Sequence, residues 1–461
     1  MGDINLIMSV GAYAVDVAIV GAGFAGLSAA RKISRHGLRV AVLEARDRVG
    51  GRTFTRVLPD GAQIDLGGQW IGPTQHNIYR LVEDYGIATY PTPAEGNKLV
   101  IYGNRRLVDT PGDVRRLLVE LDRLSAQIPL DAPWRHGCAE HWDRKTFASW
   151  LDEQRVPREA KRYTERLIAG GLLAGGAGDF SLLETLFYVA SGGGTASLID
   201  CEGGAQDCRI AGGPQVVAKA MAAELGGAVR LGEPVRQIEH HQNGAMVITD
   251  KGVYEAGRVI VAIPPTLAGR IEYTPTLPSA RDGLTQRMPA GYALKINIIY
   301  PRPFWREAGL SGIAVCDDGV ISETFDNSPP DDSRGILVSF VYGAEAQRLR
   351  SEEQSRQREL VLGQLSQLYG PQAREAHDFI MFDWTAEPWT RGCFSGHFTP
   401  GGWIGYGPAL REPIGVLHWA GTETAVHWNG YIDGAVESGE RAAAEAISSY
   451  TATRQRTAVS L

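Results

Sequence analysis

The most constraining feature of the chain is a glycine turn near its start. Residues 15–20 read as a short buried strand, residues 24–36 as a helix, and residues 38–44 as a second strand. Between strand and helix stands Gly21-Ala-Gly23-Phe24-Ala25-Gly26, and Glu44 closes the second strand. A glycine triplet at this spacing means little alone. Placed between strand and helix, with an acidic residue at the end of the next strand, it is the fingerprint of a dinucleotide-binding βαβ unit. Gly21 permits the tight turn, Gly23 lets the backbone approach a pyrophosphate, and Gly26 lets helix pack closely on strand. The helix start offers N–H groups and a positive dipole end to phosphate. Glu44 suits a ribose and repels a 2′-phosphate. A βαβ opening also predicts a parallel sheet.

The rest of the chain is an alternation of helix-rich and strand-rich stretches. Residues 111–169 are helical in pattern, 170–214 are rich in Gly and Ser, and 229–262 contain short strands. Residues 292–300 predict a strand, 350–369 an amphipathic helix, and 430–449 a last helix packing through Ala435, Gly439, Ala442 and Ala443. With 461 residues the chain is too long for one simple core. The expected fold is α/β: a discontinuous Rossmann-like unit built from 13–90, 210–290 and 395–450, interleaved with a mixed α/β unit from 91–209 and 291–394. Residues 1–12 and 451–461 are expected to be flexible termini.

Charge and cysteine content remove several function classes. A net charge of −7 gives no support to nucleic-acid binding and weakly favours cationic substrates. Five cysteines without a CxxC pair indicate neither a disulfide framework nor a zinc site, so no metal is expected. A reducing cytoplasm fits best. Neither a signal peptide nor a membrane span is expected. A homodimer is compatible with everything read here.

The segments beyond the first turn narrow the cofactor. Glu44-Ala45-Arg46-Asp47-Arg48-Val49-Gly50-Gly51-Arg52 continues the fingerprint. Residues 65–72 read DLGGQWIG, residues 288–305 read MPAGYALKINIIYPRPFW, and residues 418–441 read HWAGTETAVHWNGYIDGAVESGER. Together these four segments resemble the flavin monoamine oxidase family, most strongly its bacterial putrescine-oxidase and monoamine-oxidase branch. The resemblance spans nearly the whole chain. It implies FAD held in a p-hydroxybenzoate-hydroxylase-like domain, and oxidation of a primary or secondary amine to an imine, with O2 reduced to H2O2. An amino acid, a polyamine or a cyclic amine is the alternative substrate.

Residue roles follow from the same resemblance. Arg46, Gly51 and Arg52 serve FAD, as do Gly67, Gly68, Gln69 and Trp70, and Val235 is a further contact. Gly421, Glu423 and Thr424 belong to a turn approaching the phosphates and ribityl chain. Gly430, Tyr431 and Ile432 open the last helix toward the flavin pyrimidine. Lys295 would hold a water near flavin N5; by pattern alone it is equally an exposed strand lysine. Tyr431 and Phe394 match the two walls of an aromatic cage, with Phe replacing the usual Tyr at the second. Trp384 and Trp389 match positions near the flavin edge. Cys393 aligns with the cysteine that carries a covalent 8α-thioether in animal relatives, and both covalent and noncovalent FAD remain open. Glu323 matches a position where a carboxylate holds the distal ammonium of a diamine; the alternative is a solvated strand-end glutamate.

Overall fold

The computed structural model describes residues 11–59 and 61–459. The opening βαβ unit forms as expected. Strand Gly11–Val20 runs parallel to Val40–Glu44, and helix Phe24–Arg35 connects them. The helix buries Leu27, Ala30 and Ile33 along one stripe. It carries Lys32 and Arg35 in its last turn, where the dipole favours cations, and stops before Gly37, which takes a left-handed φ of +75°.

The first strand lies inside an eight-stranded sheet. Its other neighbour is Gly252–Val261, also parallel. Leu417–Trp419 adds a further parallel strand from near the end of the chain. The expected parallel sheet is therefore most, but not all, of what forms. Val235–His241, Gly244–Thr249 and Gly252–Val261 make an antiparallel meander at one side, because tight turns join them and leave no room for a crossover helix.

A second sheet of seven strands holds Asp378–Asp383, Ala293–Tyr300, Gly335–Tyr342, Glu323–Asp326, Leu310–Cys316, Asn97–Tyr102 and Arg105–Leu107, in that order. Its central strands Ala293–Tyr300 and Gly335–Tyr342 are buried at every position, which explains their nearly continuous apolar sequence. Helices from 112–199 cover the cavity side of this region, and their buried residues form one core cluster.

The terminal helix spans Ile432–Val459 and crosses the first helix. A Cβ at Gly439 would stand 2.1 Å from the Ala25 carbonyl oxygen, so only glycine allows this approach. Ala442 and Ala443 are fully buried beside it. At the described ends of the chain, Gly11 and Ala12 pair with Gly252 and Val253. The terminal helix runs to Val459, and Arg258 bonds Ser449 and Thr453 along it. Residues 1–10 lie outside the described residues. The helix expected over 350–369 is two helices, Gly343–Ser351 and Gln354–Tyr369, broken at Glu352 and Glu353.

Candidate active site

One long cavity runs between the two sheets and holds about 1640 Å³, its open mouth included. At one end it is lined by Gly21, Gly23, Phe24, Ala25, Glu44, Arg46, Gly51 and Arg52. Helix Phe24–Arg35 starts here without a side-chain cap, so its first-turn N–H groups are available to a ligand. A Cβ at Gly23 would meet no atom closer than 3.9 Å, and the same holds at Gly68. The wall is bare backbone at those points, and side chains would fill the space an extended cofactor needs. Gly26 does different work. Its Cβ would lie 1.9 Å from the Gly21 carbonyl, so it serves the packing of helix on turn.

Glu44 is 2% exposed and braces the turn. Its Oε2 accepts from Ala22 N at 2.8 Å and its Oε1 from Arg46 N at 3.0 Å. Arg46 also pairs with Glu387 at 2.6 Å. Arg52 donates to Glu423 through both nitrogens, at 2.6 and 3.1 Å, and to the Phe394 carbonyl at 2.6 Å. Burial pushes the Glu423 carboxyl up, but Arg52 more than offsets this and holds it below the usual carboxylate range. The bare-backbone cradle, the uncapped helix and the flanking arginines fit a dinucleotide carrying a pyrophosphate.

At the other end stand Lys295, Glu323, Phe340, Tyr342, Trp384, Cys393, Phe394, Tyr188 and Tyr431. Lys295 is 5% exposed, so it is not an exposed strand lysine. Its Nζ donates to the Gly67 carbonyl at 2.8 Å and bonds the Gln69 side chain, which is in turn held by Asn327 at 2.7 Å. Burial lowers the Lys295 amine to about 7. Trp70 and Phe340 each place a ring centroid 5.7 Å from its Nζ.

Glu323 begins its strand buried, which removes the solvated reading. Its Oε2 accepts from the Tyr342 hydroxyl at 3.2 Å. Burial raises its carboxyl to about 7, an effect that the Tyr342 bond and the Arg166 charge only partly offset. Arg166 itself turns to Ser322 and the Gly319 carbonyl. A Cβ at Gly171 would stand 2.6 Å from Glu323 Oε1, so this glycine leaves the carboxylate its place. Gly171 follows a single turn of π-helix, Arg166–Gly170, a local widening found often at functional sites.

Phe394 and Tyr431 both face the cavity. Phe394 has a φ of +54°, a strained conformation for a bulky residue. Tyr342 meets it edge-on at 6.0 Å between centroids. Trp428 packs edge-on against Tyr431 at 4.9 Å, and Tyr188 lies 6.2 Å from it on another side. Cys393 is buried in the same wall. Its Sγ lies 3.5 Å from the Gly291 carbonyl, and burial pushes the thiol up to about 12.

Most expected residues therefore meet in one cavity. Gly67, Gly68, Gln69, Trp70, Trp389, Gly421, Gly430 and Ile432 line it as well. Several do not. Val235 starts a strand opposite Thr249 and stands behind the lining, two residues after Glu233, whose N–H bonds the Glu44 carbonyl. Ala45 sits between two lining residues without joining them. Glu423 and Thr424 stand behind the wall, where Glu423 grips Arg52 and the Gly396 N–H. Tyr188, Phe340, Tyr342 and Gly171 line the cavity unannounced by any sequence motif.

Comparison with known proteins agrees with this geometry. The sequence profile described as flavin containing amine oxidoreductase matches residues 24–447. The Mycobacterium tuberculosis protein AofH, whose name describes a flavin-containing monoamine oxidase, is 39% identical over 443 residues, covering 94% of this chain and 96% of its own. Putrescine oxidase from Kocuria rosea is 36% identical over 455 residues, covering 94% and 95%. A solved structure of putrescine oxidase bound to putrescine superposes with a TM-score of 0.92 at 38% identity, over 95% of this chain and all of that one.

Proposed function

The chain belongs to the flavin containing amine oxidoreductase family, and from that premise we propose an amine oxidase whose substrate carries a second cationic group. Bound FAD would supply the chemistry, a two-electron oxidation of the amine C–N bond with O2 as the final acceptor. The chain's residues bind, orient and exclude water.

Glu323 carries the substrate reading. It is a buried carboxyl facing the cavity, bonded to one tyrosine hydroxyl and to no cationic side chain among the described residues. A buried carboxylate in that state has Arg166 only at a distance and no bonded counter-ion, and a substrate ammonium supplies one. A diamine fits this end of the cavity. The aromatic faces of Phe394 and Tyr431 steer the reacting nitrogen, and Lys295, anchored on Gly67 and Gln69, holds a proton-exchanging group two strands from Glu323. The start of the terminal helix turns its N–H groups and positive dipole end toward the same region.

The two sheets support FAD binding by 13–90, 210–290 and 395–450, and substrate binding by 91–209 and 291–394. The position of Cys393 in the lining supports a thioether to FAD, although its raised pKa leaves little thiolate. Acid precipitation tests the link: colour kept in the pellet supports it, and complete release into the supernatant contradicts it. Five free cysteines support a reducing, cytoplasmic setting.

A peroxide-coupled assay over matched monoamines and diamines tests the substrate reading. Glu323→Gln is expected to raise KM for the diamine by about ten-fold or more, the weight of one charge-assisted hydrogen bond, and to change the monoamine little. Equal effects on both would contradict it.

A further inference from the structure

Helix Leu182–Ser191 touches both sides of the aromatic cage. Glu184 and Tyr188 lie one turn apart on it and share a face. Glu184 is 2% exposed, and its two oxygens are used separately. Oε1 accepts from His397 Nδ1 at 2.8 Å and Oε2 from Trp403 Nε1 at 2.7 Å. With Nδ1 donating, the neutral ring accepts at Nε2, which stands 3.0 Å from the Ser395 hydroxyl. Ser395 directly follows Phe394, the residue held at a φ of +54°. The second arm starts at Tyr188, whose ring lies 6.2 Å from that of Tyr431 and whose hydroxyl is electrostatically coupled to it. The two arms converge: a Cβ at Gly430 would stand 2.8 Å from Tyr188 Oη and 2.9 Å from Ser395 Oγ.

A serine, a histidine and a glutamate in this order also suit a hydrolytic nucleophile. Burial removes that reading. Ser395 and His397 are both fully buried and outside the cavity lining, so no ester or amide reaches the hydroxyl. What remains is mechanical. A left-handed backbone at a phenylalanine persists only when its surroundings over-determine it. Arg52 holds the Phe394 carbonyl, Glu423 holds the Gly396 N–H, and the Glu184–His397–Ser395 chain holds the residue between them.

We propose that Glu184, acting through His397 and Ser395, is a positioning residue for Phe394, and that with Tyr188 it makes helix Leu182–Ser191 a shared strut setting the gap between the two cage walls. The proposal rests on the reading of Phe394 and Tyr431 as walls that face the reacting amine. It assigns a selectivity role to Glu184, His397 and Ser395, which lie outside the cavity lining, and to Tyr188, which is part of it.

The test uses FAD-loaded enzyme and the ratio of kcat/KM for a bulky ring-bearing amine to that for a slim linear one. Ser395→Ala and Tyr188→Phe each remove one hydroxyl and almost no volume. Each is expected to shift the ratio by about ten-fold, as small misplacements near a reacting centre do. The double variant is expected to go little beyond the larger single effect, because both act on one gap. Glu184→Gln, which keeps a bond to each partner after a change of histidine tautomer, is expected to retain the wild-type ratio, and Glu184→Leu to lose it. Equal scaling of every amine, or singles that multiply in the double variant, would overturn the strut. Phe394→Ala separates the two readings. If it leaves ratio and kcat unchanged, the cage fails and the strut with it; if it shifts the ratio while Ser395→Ala is silent, the strut alone fails. FAD content and Tm, measured on each variant, identify any loss due to folding.

Discussion

Lys295 and Glu323 face the same cavity from strands on either side of Phe340, each paired with it in register. Strands in a sheet lie about 4.8 Å apart, so the two Cα atoms stand roughly 10 Å from each other. Burial drives both side chains toward neutrality from opposite directions, each to about 7. That end of the cavity thus has a base on one side, an acid on the other and an aromatic floor between them.

That arrangement gives the diamine reaction a pH signature. Glu323 gains its charge as pH rises through about 7, so KM for a diamine is expected to fall over that window while KM for a monoamine moves less. Steady-state kinetics across pH 6–8 check this, and Glu323→Gln is expected to remove the difference between the two substrates.

The same shift is a statement about stability. The folded carboxyl binds its proton more tightly than the unfolded one, so its contribution is complete at low pH and is lost as pH rises to about 7. Glu323→Gln is expected to stabilise the ligand-free enzyme by up to about 3 kcal/mol at pH 8 and to change nothing near pH 4. Denaturant unfolding at the two pH values measures it.

Lys295 runs with the opposite sign. Its amine binds a proton less tightly when folded, so its burial costs most below about pH 7, and this cost fades as pH rises toward the unfolded value. Lys295→Met removes the proton-exchanging group and is expected to slow flavin reduction or its reoxidation, resolved by rapid mixing of the two half-reactions. Unchanged rates in both would remove Lys295 from the mechanism.

Glu423 and Arg52 join the ends of the chain beneath the cofactor cradle. Glu423→Ala leaves a partly buried arginine without its partner, a loss of about 3–5 kcal/mol for a buried pair. A lower unfolding midpoint and a lower ratio of flavin to protein are expected together.

The opening glycine triplet, Glu44, Lys295 and the segment 418–441 were legible because each depends on local spacing or on a distinctive string. They belong to the α/β fold that forms, and most of them meet in one cavity. The remaining wall was not legible for a physical reason. Phe340 lies in Gly335–Tyr342, a strand buried on both faces, so no alternation marks the residue that faces the cavity. Tyr188 lies in a helix that is apolar nearly all round. Ser181 caps the Glu184 N–H at 3.0 Å, while the Glu184 carboxylate bonds His397 and Trp403, contacts that no local spacing marks.

Anaerobic mixing of the yellow, FAD-loaded enzyme with a short diamine tests the central claim most directly. The visible flavin absorbance is expected to bleach, and admission of air to restore it with formation of H2O2. Flavin that keeps its full absorbance with that diamine and with every monoamine tried would contradict the account.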